Sequence, residues 1–555
     1  MTDLRGISYP KRRILLAVVA ITLLALAARL TIALQDRVVW GDEPFYLWLG
    51  RNWLTGQGYS FTGYPDVHHT PLYPLLAGAL YLVTGDLDIA SRIWYVLLGA
   101  ALVVPIYLIA ARMYGWRAGL LAGLLVALHP ALTAAIPRWG TMTEPLYYLL
   151  IYGGLYVLLV ALDHDAIWAW GLGGILLGLA YLTRPEASGY LLLFGAYLLL
   201  VRLLQKRLWN RHTLLALAAY VIGFALFFVP YAVYVRIETG EWMVSEKAGV
   251  TFLTGIPLAF GDVAGFDKAT WELDRTGEEV IFFSRESYTM SMTDWILAHP
   301  RDFLRLIYRN GQRFANGLLS AGMFTPLLVP FLALAWFHAP WSKQRTAQEG
   351  LLFVSLGPAL GFLLFVVVDR YIAVVLPLLM IWLAQGLVVF ADWLVGTVRN
   401  LFAPSLEAEV QPWARWHTVL WALPVAAVLL FFVAVTPRVW ARTSLGSYRP
   451  AHKTIGVWLQ HEVKPDTVIM ARYPAIAFHA NARWVPTPNA TYDEIMRYAR
   501  VKGARYWVLD ELETTNLRPQ LGFLVQDGGQ PPAELRLAYT MISEGKKLVV
   551  YELVR

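Results

Sequence analysis

The chain has 555 residues, of which 57% are hydrophobic and only 15% charged. A water-soluble protein is about 45–50% apolar and about 25% charged, so the surplus must face a bilayer rather than one oversized core. The absence of cysteine excludes disulfides, thiolate nucleophiles, cysteine zinc sites and iron–sulfur clusters. The net charge of +7 fits cytoplasmic loops of a membrane protein better than a nucleic-acid surface.

The first apolar run, Ile14 to Leu34, follows Arg5, Lys11, Arg12 and Arg13. It is longer than a signal-peptide core and has no clean small-residue cleavage site, so it reads as an uncleaved anchor with its amino end in the cytoplasm. Further spans are expected at Ile93–Ala111, Ala118–Ala135, Leu146–Leu162, Ile167–Leu182, Ala187–Leu203, Thr213–Val229, Gly317–Phe337, Gly350–Val368, Tyr371–Phe390 and Val419–Val435, about eleven in all. With this count Arg112, Arg117, Lys206, Arg207, Arg211, Lys343, Arg345, Arg399 and Arg415 fall on the cytoplasmic side, as the positive-inside rule requires. Only the Asp163-His164-Asp165 turn runs against it.

Residues 1–436 are therefore read as a transmembrane domain with outer loops at 35–92, 137–145 and 230–316, and 437–555 as an outer soluble domain. Pro71–Gly85 is apolar but only about fifteen residues long, and counting it as a span would invert the downstream charge pattern. It reads as an interfacial helix. Asp294–Phe314 alternates apolar residues with Arg301, Arg305, Arg309 and Arg313, which also suits a helix lying on the membrane surface. In the tail, Thr454–Val463 and Tyr492–Val501 have helical spacing, and Thr467–Ala471 and Tyr506–Leu509 read as strands. Leu535–Ser543 and Lys546–Val554 form a hairpin joined at Glu544-Gly545. Arg472-Tyr473-Pro474, His479 and Asp510-Glu511 could contact an acceptor, although exposed loop and cap residues are commoner. The expected role of the tail is acceptor binding or support of the long outer loop.

No phosphate-binding G-x-x-x-x-G-K-[ST] loop, H-E-x-x-H helix or dinucleotide-binding glycine motif is present. Asp86-Leu87-Asp88 has metal-ligand spacing, but such triplets arise often by chance and it reads as a loop feature. The informative segment is Trp40-Gly41-Asp42-Glu43-Pro44-Phe45-Tyr46, two adjacent carboxylates among aromatics at the outer boundary. There, partial desolvation is expected to raise the basicity of one of them. Asp66-Val67-His68-His69-Thr70-Pro71-Leu72-Tyr73-Pro74 follows, and then Arg138-Trp139-Gly140-Thr141-Met142-Thr143-Glu144-Pro145.

In these segments, their order and their side of the membrane, the chain resembles the GT-C superfamily of integral-membrane glycosyltransferases. The likeness is to the branch that holds the protein O-mannosyltransferases and the lipid A aminoarabinose transferase. It extends to Leu182-Thr183-Arg184-Pro185-Glu186, to Asp369-Arg370-Tyr371 and to the outer tail. Two positions depart from the pattern. His69-Thr70-Pro71 stands where the aminoarabinose transferase has Lys-Pro-Pro, and Glu144 stands where an aspartate is commoner.

The resemblance implies a polytopic α-helical GT-C fold with outer interfacial helices and a small C-terminal α/β domain. It also implies a bacterial plasma-membrane enzyme that transfers a sugar from a polyprenyl-phosphate donor to a lipid, glycan or protein acceptor. Such a donor leaves readily, so the site needs a base for the acceptor hydroxyl and cations for the phosphate. Asp42 is the expected base, with Glu43 and Glu144 positioning the acceptor or the cations. His68, His69, Arg138, Arg184 and Arg370 are the expected phosphate contacts, since the arginine fork suits a phosphate. For Arg184 and Arg370 the competing reading is anchoring at a span end, and Tyr371 and Trp139 read as interfacial belt residues. No cofactor is implied, although Asp42 with Glu144 could in principle hold a divalent ion. The competing class is a transporter or flippase of a lipid-linked substrate, which would place ionisable residues in mid-span. A scaffold with an outer interaction domain is the third.

Overall fold

The computed structural model describes residues 11–282, 291–402, 410–441, 449–526 and 531–554. Its first half is a run of helices: α1 (Lys11–Ala33), α2 (Glu43–Leu54), α3 (Leu72–Thr84), α4 (Leu87–Ala101), α5 (Val103–Tyr114), α6 (Trp116–Leu128), α7 (Glu144–His164), α8 (Ile167–Thr183), α9 (Ala187–Leu204) and α10 (Arg211–Thr239). After α10 come α11 (Lys247–Phe260), α12 (Val263–Trp271), the short strands β1 (Glu272–Leu273) and β2 (Val280–Phe282), α13 (Met292–Ala298) and α14 (Pro300–Leu318). Three further apolar segments follow at Lys343–Leu364, Asp369–Leu401 and Trp416–Ala441.

Eight of these helical segments are long and apolar enough to cross a membrane, or nine if the bent pair Trp116–Leu128 and Ala131–Arg138 counts as one span. Two other expected spans are shorter apolar helices, Ile167–Thr183 and Pro326–Phe337. The Gly317–Phe337 expectation fails at its start because α14 ends at Leu318 and Ser320–Thr325 is not helical. The expected helix over Asp294–Phe314 is also two helices. His299, at φ −128° and ψ 53°, precedes Pro300, whose ring disfavours α geometry in the residue before it.

The break after α6 positions the site. Pro130 has no N–H to give the carbonyl four residues back, and Arg29 from α1 takes up the slack, donating to the carbonyls of Ala127 (3.2 Å) and Val126 (3.4 Å). Arg29 is fully buried in a span, and these bonds explain it without a transport role. Past the bend, a π-helical turn at Ala131–Ala135 leads the chain to Arg138 and the 139–143 loop.

At the far end of the α4–α5 span, the acidic turn that ran against the charge pattern is absorbed. Asp163 accepts from Arg112 (2.6 Å), Gln344 (3.1 Å) and Gln348 (2.9 Å), and Arg202 pairs with Asp165. Arg117 pairs with Asp392 at 2.9 Å. Asp86 and Asp88, read as a loop feature, cap and start α4. Asp86 accepts from the Ile89 N–H (2.9 Å), and Asp88 bonds Arg37 and Arg92.

The tail builds a five-stranded sheet from β3 (Val468–Ala471), β4 (Arg483–Val485), β5 (Ala504–Asp510), β6 (Leu535–Ser543) and β7 (Lys546–Leu553), in the order β4-β3-β5-β7-β6. β3 pairs parallel with β4 and β5, while β7 is antiparallel to β5 and β6. Several contacts join the tail to the rest of the chain. Phe45 and Trp48 of α2 pack on Trp484 (5.3 and 6.4 Å between rings). Asp267 of α12, fully buried, accepts from Arg472 (2.6 Å), Asn489 (3.0 Å) and Arg518 (3.0 Å). Arg472, His479 and Asp510 are thus structural: His479 accepts the Val39 N–H at 3.2 Å, and Asp510 holds Arg449 and His452. Glu511 likewise accepts from Lys546 at 2.8 Å.

Candidate active site

Two Glu-Pro steps, Glu43-Pro44 and Glu144-Pro145, open α2 and α7, where proline costs nothing because the first helical N–H groups are unpaired anyway. The loops in front of them touch. Gly41 and Gly140 have φ of +65° and +71°, and a Cβ on Gly41 would stand 2.8 Å from the Gly140 carbonyl oxygen. That same oxygen accepts the Glu43 N–H at 2.9 Å. Behind them, α2 and α3 cross at Gly50 and Gly78 so closely that a Cβ on either would fall 2.1–2.3 Å from the other helix's carbonyl oxygens. These contacts fix the start of α2, where Asp42 is the cap residue.

Asp42 makes no capping bond with its side chain. It lines a small cavity with Tyr46, His68, Thr70, Thr141, Arg184, Glu186, Lys247, Arg370 and Tyr371, with Arg370 Nη2 3.6 Å from its carboxylate. Burial by itself would raise the Asp42 carboxyl, but Lys247, Arg370, His69 and His68 outweigh it and hold the group below the usual aspartate range. Desolvation, expected to raise the basicity of one of the two adjacent acids, does push that way at Asp42, but the surrounding cations outweigh it.

Glu43 points away from the cavity. It is fully buried in a two-pronged bond to Arg37 (2.8 and 2.8 Å) and accepts from Ser91 Oγ at 2.6 Å. The two neighbouring acids face different directions because consecutive residues at a helix start lie about 100° apart around the axis. Glu144 is buried beside the cavity, its Oε1 accepting from Thr141 Oγ1 (2.6 Å) and Arg184 Nη1 (3.1 Å). With Asp42 facing Arg370 and Glu144 facing Arg184, both candidate metal-binding carboxylates already have cations. Among the described residues no group of three His, Asp or Glu side chains is placed to hold a metal.

The five expected phosphate contacts separate. Arg184 and Arg370 line the cavity, Arg184 also reaching Glu186 at 3.2 Å and Arg370 bonding the Tyr371 hydroxyl at 3.3 Å. His68 lines it too, 3.9 Å from Glu246, and burial pushes its imidazole below the ordinary value despite that carboxylate. His69 instead donates from Nδ1 to the Asp66 carboxylate at 3.1 Å and is packed among Phe45, Tyr46 and Phe61. Arg138 lies over the Trp440 ring at 4.0 Å and lines a different cavity, with Asp369, Ser320 and Val439. Tyr371 and Trp139, expected in the interfacial belt, are both buried; Tyr371 stacks on Phe362 at 4.2 Å.

Two charged cavity residues, Glu186 and Lys247, were not assigned to the site from the sequence. Glu186 bonds Arg184 through Oε1, while its Oε2 is buried with no hydrogen-bond partner among the described residues. Lys247 opens α11 and brings a cation from the 230–316 loop. The signal for both was charge beside an apolar helix, in Arg184-Pro185-Glu186 and Glu246-Lys247.

Residues 68–234 match the family of dolichyl-phosphate-mannose-protein mannosyltransferases. No curated protein matches the sequence. Among solved structures, the chain is similar to ArnT from Cupriavidus metallidurans bound to undecaprenyl phosphate, at 14% identity and a TM-score of 0.55 over 98% of this chain and 99% of that one. It is also similar to the archaeal oligosaccharyltransferase AglB from Archaeoglobus fulgidus in complex with an inhibitory peptide and a dolichol-phosphate. There the identity is 13% and the TM-score 0.56 over 91% of this chain and 70% of that one.

Proposed function

From a chain that belongs by fold to the GT-C superfamily, we propose a glycosyltransferase that moves a sugar from a polyprenyl-phosphate donor to an acceptor hydroxyl on the extracytoplasmic face, with inversion. One observation carries the reading: a single cavity joins an ionised carboxylate, Asp42, to three cations, Arg184, Lys247 and Arg370. The fold likeness to a protein bound to undecaprenyl phosphate supports the donor class. The basic residues Arg112, Arg117, Arg202 and Arg345 gathered at the opposite ends of the spans support the side.

In this reading the acceptor hydroxyl gives its proton to Asp42 as its oxygen bonds the anomeric carbon. The carbon–oxygen bond to phosphate breaks on the other face, and the electron pair leaves on polyprenyl phosphate, where the three cations meet the growing charge. Glu186 Oε2 accepts a hydrogen bond from a hydroxyl of the sugar. The low proton affinity of Asp42 becomes a feature of the free enzyme. A bound phosphate occupies Arg370 and Lys247, weakens the field that keeps the carboxyl acidic, and so raises its basicity when the substrate is in place.

The test is incubation of the purified protein, in lipid nanodiscs, with a panel of labelled polyprenyl-phosphate monosaccharides and a membrane extract as acceptor source. Label moving from lipid to acceptor supports the reading. Movement of the intact donor across a vesicle wall without chemistry supports the transporter class instead.

A further inference from the structure

Helix α14 lies across the ends of two spans. Asn310 Nδ2 donates to the carbonyls of Leu363 (3.0 Å) and Phe365 (3.1 Å), at the end of the Lys343–Leu364 segment. Seven residues later, a Cβ on Gly317 would meet Ile372 at 2.6 Å and Asp369 at 3.4 Å, at the start of the Asp369–Leu401 segment. Seven residues advance a helix by about 10 Å, the usual spacing of packed helices. So α14 runs along the plane where spans end rather than through it.

Arg301, Arg305, Arg309 and Arg313 follow one another at steps of four and so share one side of this helix. Arg305 and Arg309 lie over the Phe260 ring at 5.9 and 5.0 Å, and Arg313 donates to the Leu258 and Ala259 carbonyls, both at 3.2 Å. Like charges at such steps repel one another, and among the described residues no carboxylate forms an ion pair with Arg301, Arg305 or Arg309. Beside the row, Leu304 and Tyr308 stand 67% and 66% exposed, and Leu297 of α13 is 74% exposed. A charged row and large apolar side chains share a surface at the membrane boundary. Lipid phosphates above fatty-acyl chains complement both.

We propose that the outward side of α14 is a binding site for anionic phospholipid of the surrounding bilayer. Arg301, Arg305 and Arg309 hold the headgroup phosphates, and Leu297, Leu304 and Tyr308 rest on the upper acyl chains. Because α14 touches the Asp369–Ile372 turn that carries Arg370, a lipid held there also steadies one wall of the cavity. The site does not depend on the sugar-transfer reading, and its test needs no turnover.

The experiment is native mass spectrometry of the full-length protein released from nanodiscs holding equal phosphatidylglycerol and phosphatidylcholine. Wild type should retain phosphatidylglycerol about threefold or more over phosphatidylcholine, and the triple variant Arg301→Gln, Arg305→Gln, Arg309→Gln should lose that preference. A control triple in the tail, Arg497→Gln, Arg500→Gln, Arg505→Gln, should keep it. Should the first triple fail to assemble, Arg301→Gln and Arg305→Gln singly should each lower the ratio. An unchanged ratio in the row variants overturns the proposal, as does a row that retains added undecaprenyl phosphate but no phosphatidylglycerol.

Discussion

Arg370 Nη2 stands 3.6 Å from the Asp42 carboxylate, close enough to hold it ionised and too far for a strong hydrogen bond. The pair joins the start of α2 to the start of the Asp369–Leu401 span. The guanidinium is therefore poised to exchange a carboxylate for a phosphate, and the proposed chemistry depends on that exchange.

Asp42 is held below the usual carboxylate range, so the acidic limb of kcat/KM should lie below the ordinary aspartate value of about 4. Lys247 is the first of the cations that keep it low. Lys247→Met should move that limb to higher pH and weaken donor binding by roughly tenfold. A pH–rate profile of the two proteins checks the shift. A limb that stays in place would remove Lys247 from the cavity's field.

Arg37 and Glu43 form a buried pair on the far side of Asp42. Arg37→Met leaves the Glu43 carboxyl buried without its partner, and breaking such a pair costs about 3–5 kcal/mol. Its expected effect is a lower Tm and poor yield, with activity lost through assembly. Thermal unfolding in detergent distinguishes this from a catalytic defect.

In the tail, burial pushes the Glu513 carboxyl up to about 7, despite Arg518 and Arg472 beside it. The native state then binds a proton that the unfolded chain has released, so stability falls as pH rises from about 4.5 towards 7. Glu513→Gln should remove that slope and raise the unfolding free energy at pH 8 by on the order of 1–3 kcal/mol, read as a higher Tm, with little effect at pH 4.5. Equal Tm changes at both pH values would contradict the buried-acid account.

Much of this was legible in the sequence because membrane solvent writes long apolar runs and confines charge to their ends. The hairpin turn at Glu544-Gly545 and the helix Tyr492–Val501 stood out by periodicity in the same way. What could not be read was direction. Asp42 and Glu43 are adjacent, yet one faces the cavity and the other Arg37. His68 and His69 are adjacent, yet one lines the cavity and the other bonds Asp66. Arg138 belongs to the same motif as Glu144 but is turned to Trp440 by the bend at Pro130. Lys247 comes from more than a hundred residues beyond that motif, and only tertiary packing brings it in.

The central claim is that Asp42 takes the proton while Arg370 and its neighbours hold the phosphate. The most direct measurement is single-turnover transfer from a labelled polyprenyl-phosphate sugar by Asp42→Asn, run beside binding of bare polyprenyl phosphate to the same protein. The account predicts transfer reduced at least about a hundredfold, with phosphate binding equal to or tighter than wild type because Arg370 is released. Transfer at the wild-type rate with binding intact would contradict it.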